Sequence, residues 1–430
     1  MDEFSHGHRV EPYGPTEYAN EFQSLVQAVH DNANVPIKNM LIGPSLASGP
    51  WQPQQVWDVG YLDRFKDVLT AVTMEHYPTN NCYMTYGIGS YTDPQEMFHN
   101  FLDHNAGLNL VKNYLPSSSL AQGIGKPFIM FETNSATCGG LPGISDSFGA
   151  ALWALDYGLT MAASNFSHAL LHVGGQNVYY NPFTAPPTNQ SAFNQWTVGA
   201  VFYSVVIVSE IFGKSNVSQI VDTSNSGIYT PSYAIYDNGA LSKVALFNFI
   251  DDRSGAHDVT ATITVDGGQV PSQVWVKYFL ADSVSVKTNL TWAGQTFGNK
   301  FQVDGRLKGD LDITTIPCDQ GVNQCHVPLK APSFALVFLT DPNAQDEDSQ
   351  TPNAVTFQTT AFTKTVHTAT VDPSVLATSN GHSGKERQNL GSTSPGSASA
   401  AESLRALTPS LVVLLAMMCG AAVVLTSYTQ

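Results

Sequence analysis

Around Ile228 the spacing of the apolar residues changes, and that change limits what the chain can fold into. Between Thr16 and Val208, strand-like apolar runs alternate with helical patterns, the signature of β/α units around a parallel sheet. The strand candidates are Met40 to Leu46, Val72 to Tyr77, Pro127 to Glu132 and His168 to Val173. Helical patterns cover Pro15 to Asn32, Asp63 to Thr70, Pro94 to Tyr114, Asp146 to Ala163 and Asn194 to Phe212. From Ile228 onward the period drops to two, with strands expected at Tyr229 to Tyr236, Leu241 to Ile250, Val259 to Val265, Gln273 to Phe279 and Ser333 to Leu339. Asp237-Asn238-Gly239 marks a hairpin between the first two.

A closed (β/α)8 barrel needs eight strands and typically about 250 residues, whereas the alternating region supplies four strands in about 210 residues. The expected fold is therefore α/β plus all-β. Residues 1–215 are expected to form the C-terminal half of a (β/α)8 TIM barrel, and residues 216–340 a β-sandwich. Residues 341–405 are rich in Ser, Thr, Pro, Gln and Asn without apolar periodicity, which predicts a disordered stalk or linker.

The last segment, 406–430, contains the uncharged apolar run Leu411 to Leu425. Its fifteen residues fall short of the roughly twenty that span a bilayer. The small-residue cluster Gly396-Ser397-Ala398-Ser399-Ala400-Ala401 and a spacer ending at Pro409-Ser410 precede it, the layout of a removable GPI signal. The alternative is a hydrophobic membrane tail that leaves Cys419 in the bilayer. Four N-x-S/T sequons, at Asn165, Asn189, Asn216 and Asn289, fit a secreted or cell-surface glycoprotein. A protein on that route needs a signal peptide, and Met1-Asp2-Glu3-Phe4-Ser5-His6 begins none. Truncation at the amino terminus is the expectation.

Charge and cysteines exclude two classes. With 35 acidic and 19 basic residues, a net of -16, the chain is a poor match for a phosphate backbone, so nucleic acid is not an expected partner. Five cysteines with no C-x-x-C pair give no metal or dithiol centre, and no cofactor is implied. Cys318 and Cys325 predict a local disulfide, while Cys82 and Cys138, both after strand ends on one barrel face, could pair.

In such barrels the reactive side chains project from the carboxyl ends of the strands. Glu132 ends the apolar strand Pro127-Phe128-Ile129-Met130-Phe131 and is a candidate nucleophile toward an anomeric carbon. Glu75-His76-Tyr77-Pro78 ends the preceding strand, placing an imidazole and a phenol on the same face, where the phenol could orient the carboxylate. The loop Thr137-Cys138-Gly139-Gly140-Leu141-Pro142-Gly143 exposes backbone amides suited to an anionic or hydroxyl-rich group. His172 to Asn181 adds polar and aromatic residues that suit sugar rings.

The segment Phe131-Glu132-Thr133-Asn134-Ser135-Ala136-Thr137-Cys138-Gly139-Gly140, then Gly143 to Gly149 and Gly174 to Asn181, resembles fungal members of glycoside hydrolase family 79. That family holds β-glucuronidases and heparanases, and the likeness runs from Met1 to about Leu339. The resemblance implies Glu132 as nucleophile of a retaining mechanism and Tyr77 as the residue that orients it. It implies Gly139, Gly140 and Tyr179 as holders of a uronate carboxylate, with His172 lining the same pocket; the choice of Tyr179 over Tyr180 is left open, and His76 is a substrate-binding candidate by its place on the Tyr77 strand end. Thr137 and Cys138 stand where some members carry a tyrosine. Met1-Asp2 falls on the Pro-Asp after the family's acid/base glutamate, so that residue is expected immediately before Met1; Glu3 does not take its place.

The function implied is a retaining exo-β-glucuronidase acting on glucuronic-acid-containing glycans. The alternatives are an inactive fragment or cell-surface carbohydrate-binding protein, and a heparanase-like endo-glucuronidase.

Overall fold

The computed structural model describes residues 9, 12–47, 51–174, 178–184, 196–225, 227–300, 303 and 305–342, all of which fall within one compact unit. The expected stalk, the anchor signal, Asn189 and the segment Met1 to His8 lie outside the described residues.

Helix α1 (Pro15–Asp31) starts where Pro15 pre-sets the backbone and Glu17 accepts from the Gly14 amide at 3.0 Å. Its buried stripe, Tyr18, Ala19 and Phe22, packs on Tyr61 and Phe65 with ring centroids 4.8 to 5.9 Å apart. Full burial of each large side chain contributes about 1.5–3 kcal/mol. Four parallel strands follow in sheet order β1 (Leu41–Leu46), β2 (Leu69–His76), β3 (Phe128–Thr133) and β4 (His168–Leu171). Each lies within a few residues of its expected position.

Helix boundaries diverge more. Leu69 and Thr70, expected as helix, open β2, because the apolar run Leu69 to Met74 pairs with β1 on one side and β3 on the other. The stretch Pro94 to Tyr114, expected as one helix, breaks into Pro94–Met97, Phe98–Phe101, Asn105–Val111 and Lys112–Tyr114. The main break falls before His104, whose amide donates to Ile228 O at 2.8 Å; a tertiary contact there overrides helical propensity. Leu115–Gly123 forms a helix unmarked in the sequence reading, with Pro116 in its first turn rather than after its end.

The helix Phe148–Ala163 is buried on nearly every side, Asp156 and Thr160 included, as a helix sandwiched between two layers must be. Ser147 caps it, accepting from the Ala150 amide at 3.3 Å, worth about 1 kcal/mol. Trp153, Tyr157 and Met161 join the core under the parallel sheet, whereas Phe148, Leu152, Leu155 and Leu159 join a second core shared with the helix Ala200–Phe212 and the β-rich layer. Gly149 lets the Phe98 ring approach: a Cβ there would lie 2.8 Å from it.

The period-two region forms one continuous nine-stranded antiparallel sheet, not the two separate sheets of the expected sandwich. Its path runs 259–263, 324–329, 314–319, 273–280, 333–338, 240–248, 232–237 and 218–222, with 291–292 paired to 273–280. Continuity comes from strands that change neighbours part-way. Thr314 to Pro317 pair with Gln273 to Val276, then Cys318 and Asp319 pair with Cys325 and Gln324. The sheet curls around Val244, Leu246, Val276, Val327 and Val337 while its outer face presents Ala245, Phe247, Phe334 and Leu336 to the helices. Strand Ser333–Phe338 is buried at every position because both faces are covered. The Asn238-Gly239 turn has φ of 50° and 80°, a type I′ hairpin as expected. Thr314–Asp319 and Gln324–Leu329 were hidden by Pro317 and Pro328.

A buried polar cluster pins the two layers. His104 Nδ1 lies 3.0 Å from Asp156 Oδ2 and Nε2 lies 2.9 Å from Asp222 Oδ2, while Tyr233 Oη donates to Asp156 Oδ1 at 2.6 Å. Burial opposes charge on His104, but the hydrogen bonds to Asp156 and Asp222 outweigh it and lift its pKa to about 10. Burial raises Asp222 less than its bonds to His104 and Ser224 lower it, leaving it at about 2.

Candidate active site

β2 and β3 are parallel neighbours with Glu75 opposite Glu132 and His76 opposite Thr133. Their carboxyl ends therefore present Tyr77 and Glu132 side by side. Tyr77 Oη donates to Glu132 Oε1 at 2.8 Å, a hydrogen bond to a carboxylate of the stronger kind. Burial, and next the Glu132 hydrogen bond, raise the Tyr77 pKa far above the ordinary phenol range, so Tyr77 remains a donor at any working pH. That bond holds one oxygen of the Glu132 carboxylate.

Of the adjacent tyrosines, Tyr180 turns inward. Its hydroxyl is hydrogen-bonded to His172 Nδ1 at 2.7 Å and lies near Tyr77 and Glu132, and its pKa is pushed up to about 12 by burial and then by the Glu132 charge. Tyr179 is exposed, and its backbone amide donates to Gly139 O at 2.7 Å. The structure thus brings Glu132, Tyr77, Tyr180 and His172 into one chain of contacts. His76 faces elsewhere: its Nδ1 is 2.6 Å from Tyr114 Oη, and burial lowers its pKa, favouring the neutral ring.

The glycine loop is knitted to the loop after β2. Cys82 and Cys138 form a disulfide, Asn81 Nδ2 donates to Gly140 O at 2.8 Å, and Thr85 Oγ1 donates to Cys138 O at 2.9 Å. Several of its amides are engaged internally: Thr137 N–H with Thr79 O, Leu141 N–H with Ser145 Oγ and Gly143 N–H with Asp146. Gly140 is required for this path, since at φ +83° a Cβ would sit 2.8 Å from Ser145 Oγ and 2.9 Å from Tyr180 Cδ1. The second expected disulfide, Cys318–Cys325, also forms, between directly opposed strand residues with Cα atoms 4.3 Å apart.

Sequence reasoning missed the contributions of Asn81, Thr85 and Ser145, polar residues whose roles depend on which loops meet. It also passed over Glu75, a second carboxylate beside Glu132 in register, whose Oε1 accepts from Ser45 Oγ. The acid/base position expected immediately before Met1 lies outside the described residues.

Residues 232–336 match the Glycosyl hydrolase family 79 C-terminal beta domain. The chain is 29% identical over 326 residues to a beta-glucuronidase of Aspergillus niger, covering 69% of this chain and 56% of that protein. It is 26% identical over 215 residues to a beta-glucuronidase of Neurospora crassa, covering 42% and 37%. The crystal structure of a 4-O-alpha-L-rhamnosyl-beta-D-glucuronidase from Fusarium oxysporum shares the fold at TM-score 0.59 and 20% identity, covering 75% of this chain and 64% of that one. The matched region spans little more than half the length of the Aspergillus relative. The chain is a relative of the family 79 glycoside hydrolases and carries that family's C-terminal beta domain at residues 232–336.

Proposed function

We propose that the protein is a retaining exo-β-glucuronidase with Glu132 as its nucleophile. The observation that carries this reading is the Tyr77 hydroxyl donating to Glu132 Oε1 at the carboxyl ends of adjacent parallel strands. In the first step the free Glu132 oxygen attacks the anomeric carbon, the C–O bond to the aglycone breaks, and the leaving oxygen takes a proton from a second carboxylic acid. Retaining enzymes place that acid about 5 to 5.5 Å from the nucleophile. Water, giving a proton to that same second carboxylate, then attacks the anomeric carbon and the C–O bond to Glu132 breaks, giving back the Glu132 carboxylate and glucuronic acid of unchanged anomeric configuration.

In this reading the Gly139-Gly140 backbone and Tyr179, or Tyr180 in its place, hold the uronate carboxylate, with His172, hydrogen-bonded to Tyr180, beside them. Recognition by neutral donors follows. In this reading residues 1–215 belong to a (β/α)8 barrel, residues 216–340 brace it, and the chain works at the cell surface on a C-terminal lipid anchor. An NMR time course on an aryl β-glucuronide tests the mechanism: β-glucuronic acid should appear first and mutarotate later. Initial release of the α-anomer would overturn it.

A further inference from the structure

We propose that Asn165, Asn216 and Asn289 are occupied N-glycosylation sites, and that the first two place their glycans at the end of the parallel sheet opposite Glu132. The sequons alone say only that the triplets Asn165-Phe166-Ser167, Asn216-Val217-Ser218 and Asn289-Leu290-Thr291 exist. The structure adds three independent observations.

All three asparagines are exposed, and each stands at a left-handed turn position, with φ of 65°, 58° and 57°. Asparagine is among the few non-glycine residues that adopt this region readily. In two of them the next residue is an anchor that turns the asparagine outward. Phe166 is buried against Phe128 with ring centroids 4.7 Å apart, and Leu290 is wholly buried. The disulfides Cys82–Cys138 and Cys318–Cys325 are features of an oxidising compartment, the setting in which N-glycans are added.

Placement follows from chain direction. Asn165 comes after the helix Phe148–Ala163 and before β4, which puts it at the amino ends of the strands. Glu132 lies at their carboxyl ends. Asn165 and Ser218 of the second sequon line one groove of about 720 Å³ together with Phe128, the first residue of β3. Glycans at Asn165 and Asn216 therefore cover that groove and leave the Glu132 face open. Asn289 lines a separate cleft of about 910 Å³ with Asp252, Arg253 and Lys330, polar groups suited to the first sugar.

Chemically, each asparagine Nδ2 forms a bond to the anomeric carbon of a diphosphate-linked oligosaccharide donor. The anomeric C–O bond breaks, the diphosphate leaves with the electron pair, and one amide proton passes to solvent.

The test is peptide mapping of the full-length protein from a glycosylating secretory host, after amidase deglycosylation in ¹⁸O water, which converts each occupied Asn into ¹⁸O-labelled Asp. Label at all three positions is the expected result, as is the loss of one glycan's mass in each of Asn165→Asp, Asn216→Asp and Asn289→Asp with turnover unchanged. Recovery of any of the three peptides unlabelled would overturn occupancy there. A fall in turnover on deglycosylation or in Asn165→Asp and Asn216→Asp, with thermal stability unchanged, would overturn the placement away from Glu132.

Discussion

Replacing Glu132 by glutamine lowers kcat on an aryl β-glucuronide by roughly 10⁴-fold or more in the full-length protein, while affinity for the substrate stays nearly unchanged. The amide keeps the shape of the side chain and still accepts from Tyr77 Oη, so the pocket is preserved. What is lost, in the proposed mechanism, is the oxygen nucleophile that forms the glycosyl ester. Steady-state kinetics and a binding titration of the same variant check this. A variant that keeps a tenth of the wild-type rate, or whose affinity falls as far as its rate, would contradict the assignment.

Asp156→Asn destabilises the fold by about 3–5 kcal/mol, the range for removing one partner of a buried ion pair. Asp156 is wholly buried, and His104 joins it to Asp222 across the junction of the two layers. The pH dependence has a definite sign. His104 rises from 6.5 to about 10 on folding, so its contribution is full below about pH 6.5 and declines as pH climbs through 10. Asp222 falls from 3.8 to about 2, so its contribution is present above about pH 4 and disappears as pH drops through 2. Burial raises Asp156 more than its bonds to His104 and Tyr233 lower it, so its own contribution is greatest on the acid side and declines as pH rises. Denaturant melts across pH 6.5 to 10 should show the wild type losing stability faster than the variant. Parallel curves, or a cost in the variant below about 1 kcal/mol, would show that the cluster does not join the layers.

Much of the architecture was legible because apolar period reports burial directly. The four parallel strands, the helix Phe148–Ala163 and the Asn238-Gly239 hairpin depend on local pattern and turn chemistry, so they stood in the sequence. What stayed hidden depends on distant partners. No local signal shows that His104 breaks a helix to meet Asp156 and Asp222, or that Leu69 begins a strand rather than ending a helix. Strands carrying Pro317 and Pro328 contradicted their own propensity and were fixed by neighbours and a disulfide. At the site, the pairing of Tyr77 with Glu132 was legible because the two residues stand at the ends of adjacent parallel strands. Which of Tyr179 and Tyr180 turns inward could be read only from the side-chain directions, since two consecutive residues of one type carry no local signal for it.

The central claim is that Glu132 bonds to the sugar, and covalent trapping reads it directly. A 2-deoxy-2-fluoro-β-glucuronosyl fluoride carries a leaving group that departs without a proton, and its C2 fluorine slows hydrolysis of the ester. Mass mapping of the treated protein should find one fluoroglucuronosyl group on the peptide containing Glu132, absent from the Glu132→Gln variant. An unlabelled Glu132, or a label on Glu75 instead, would contradict the account.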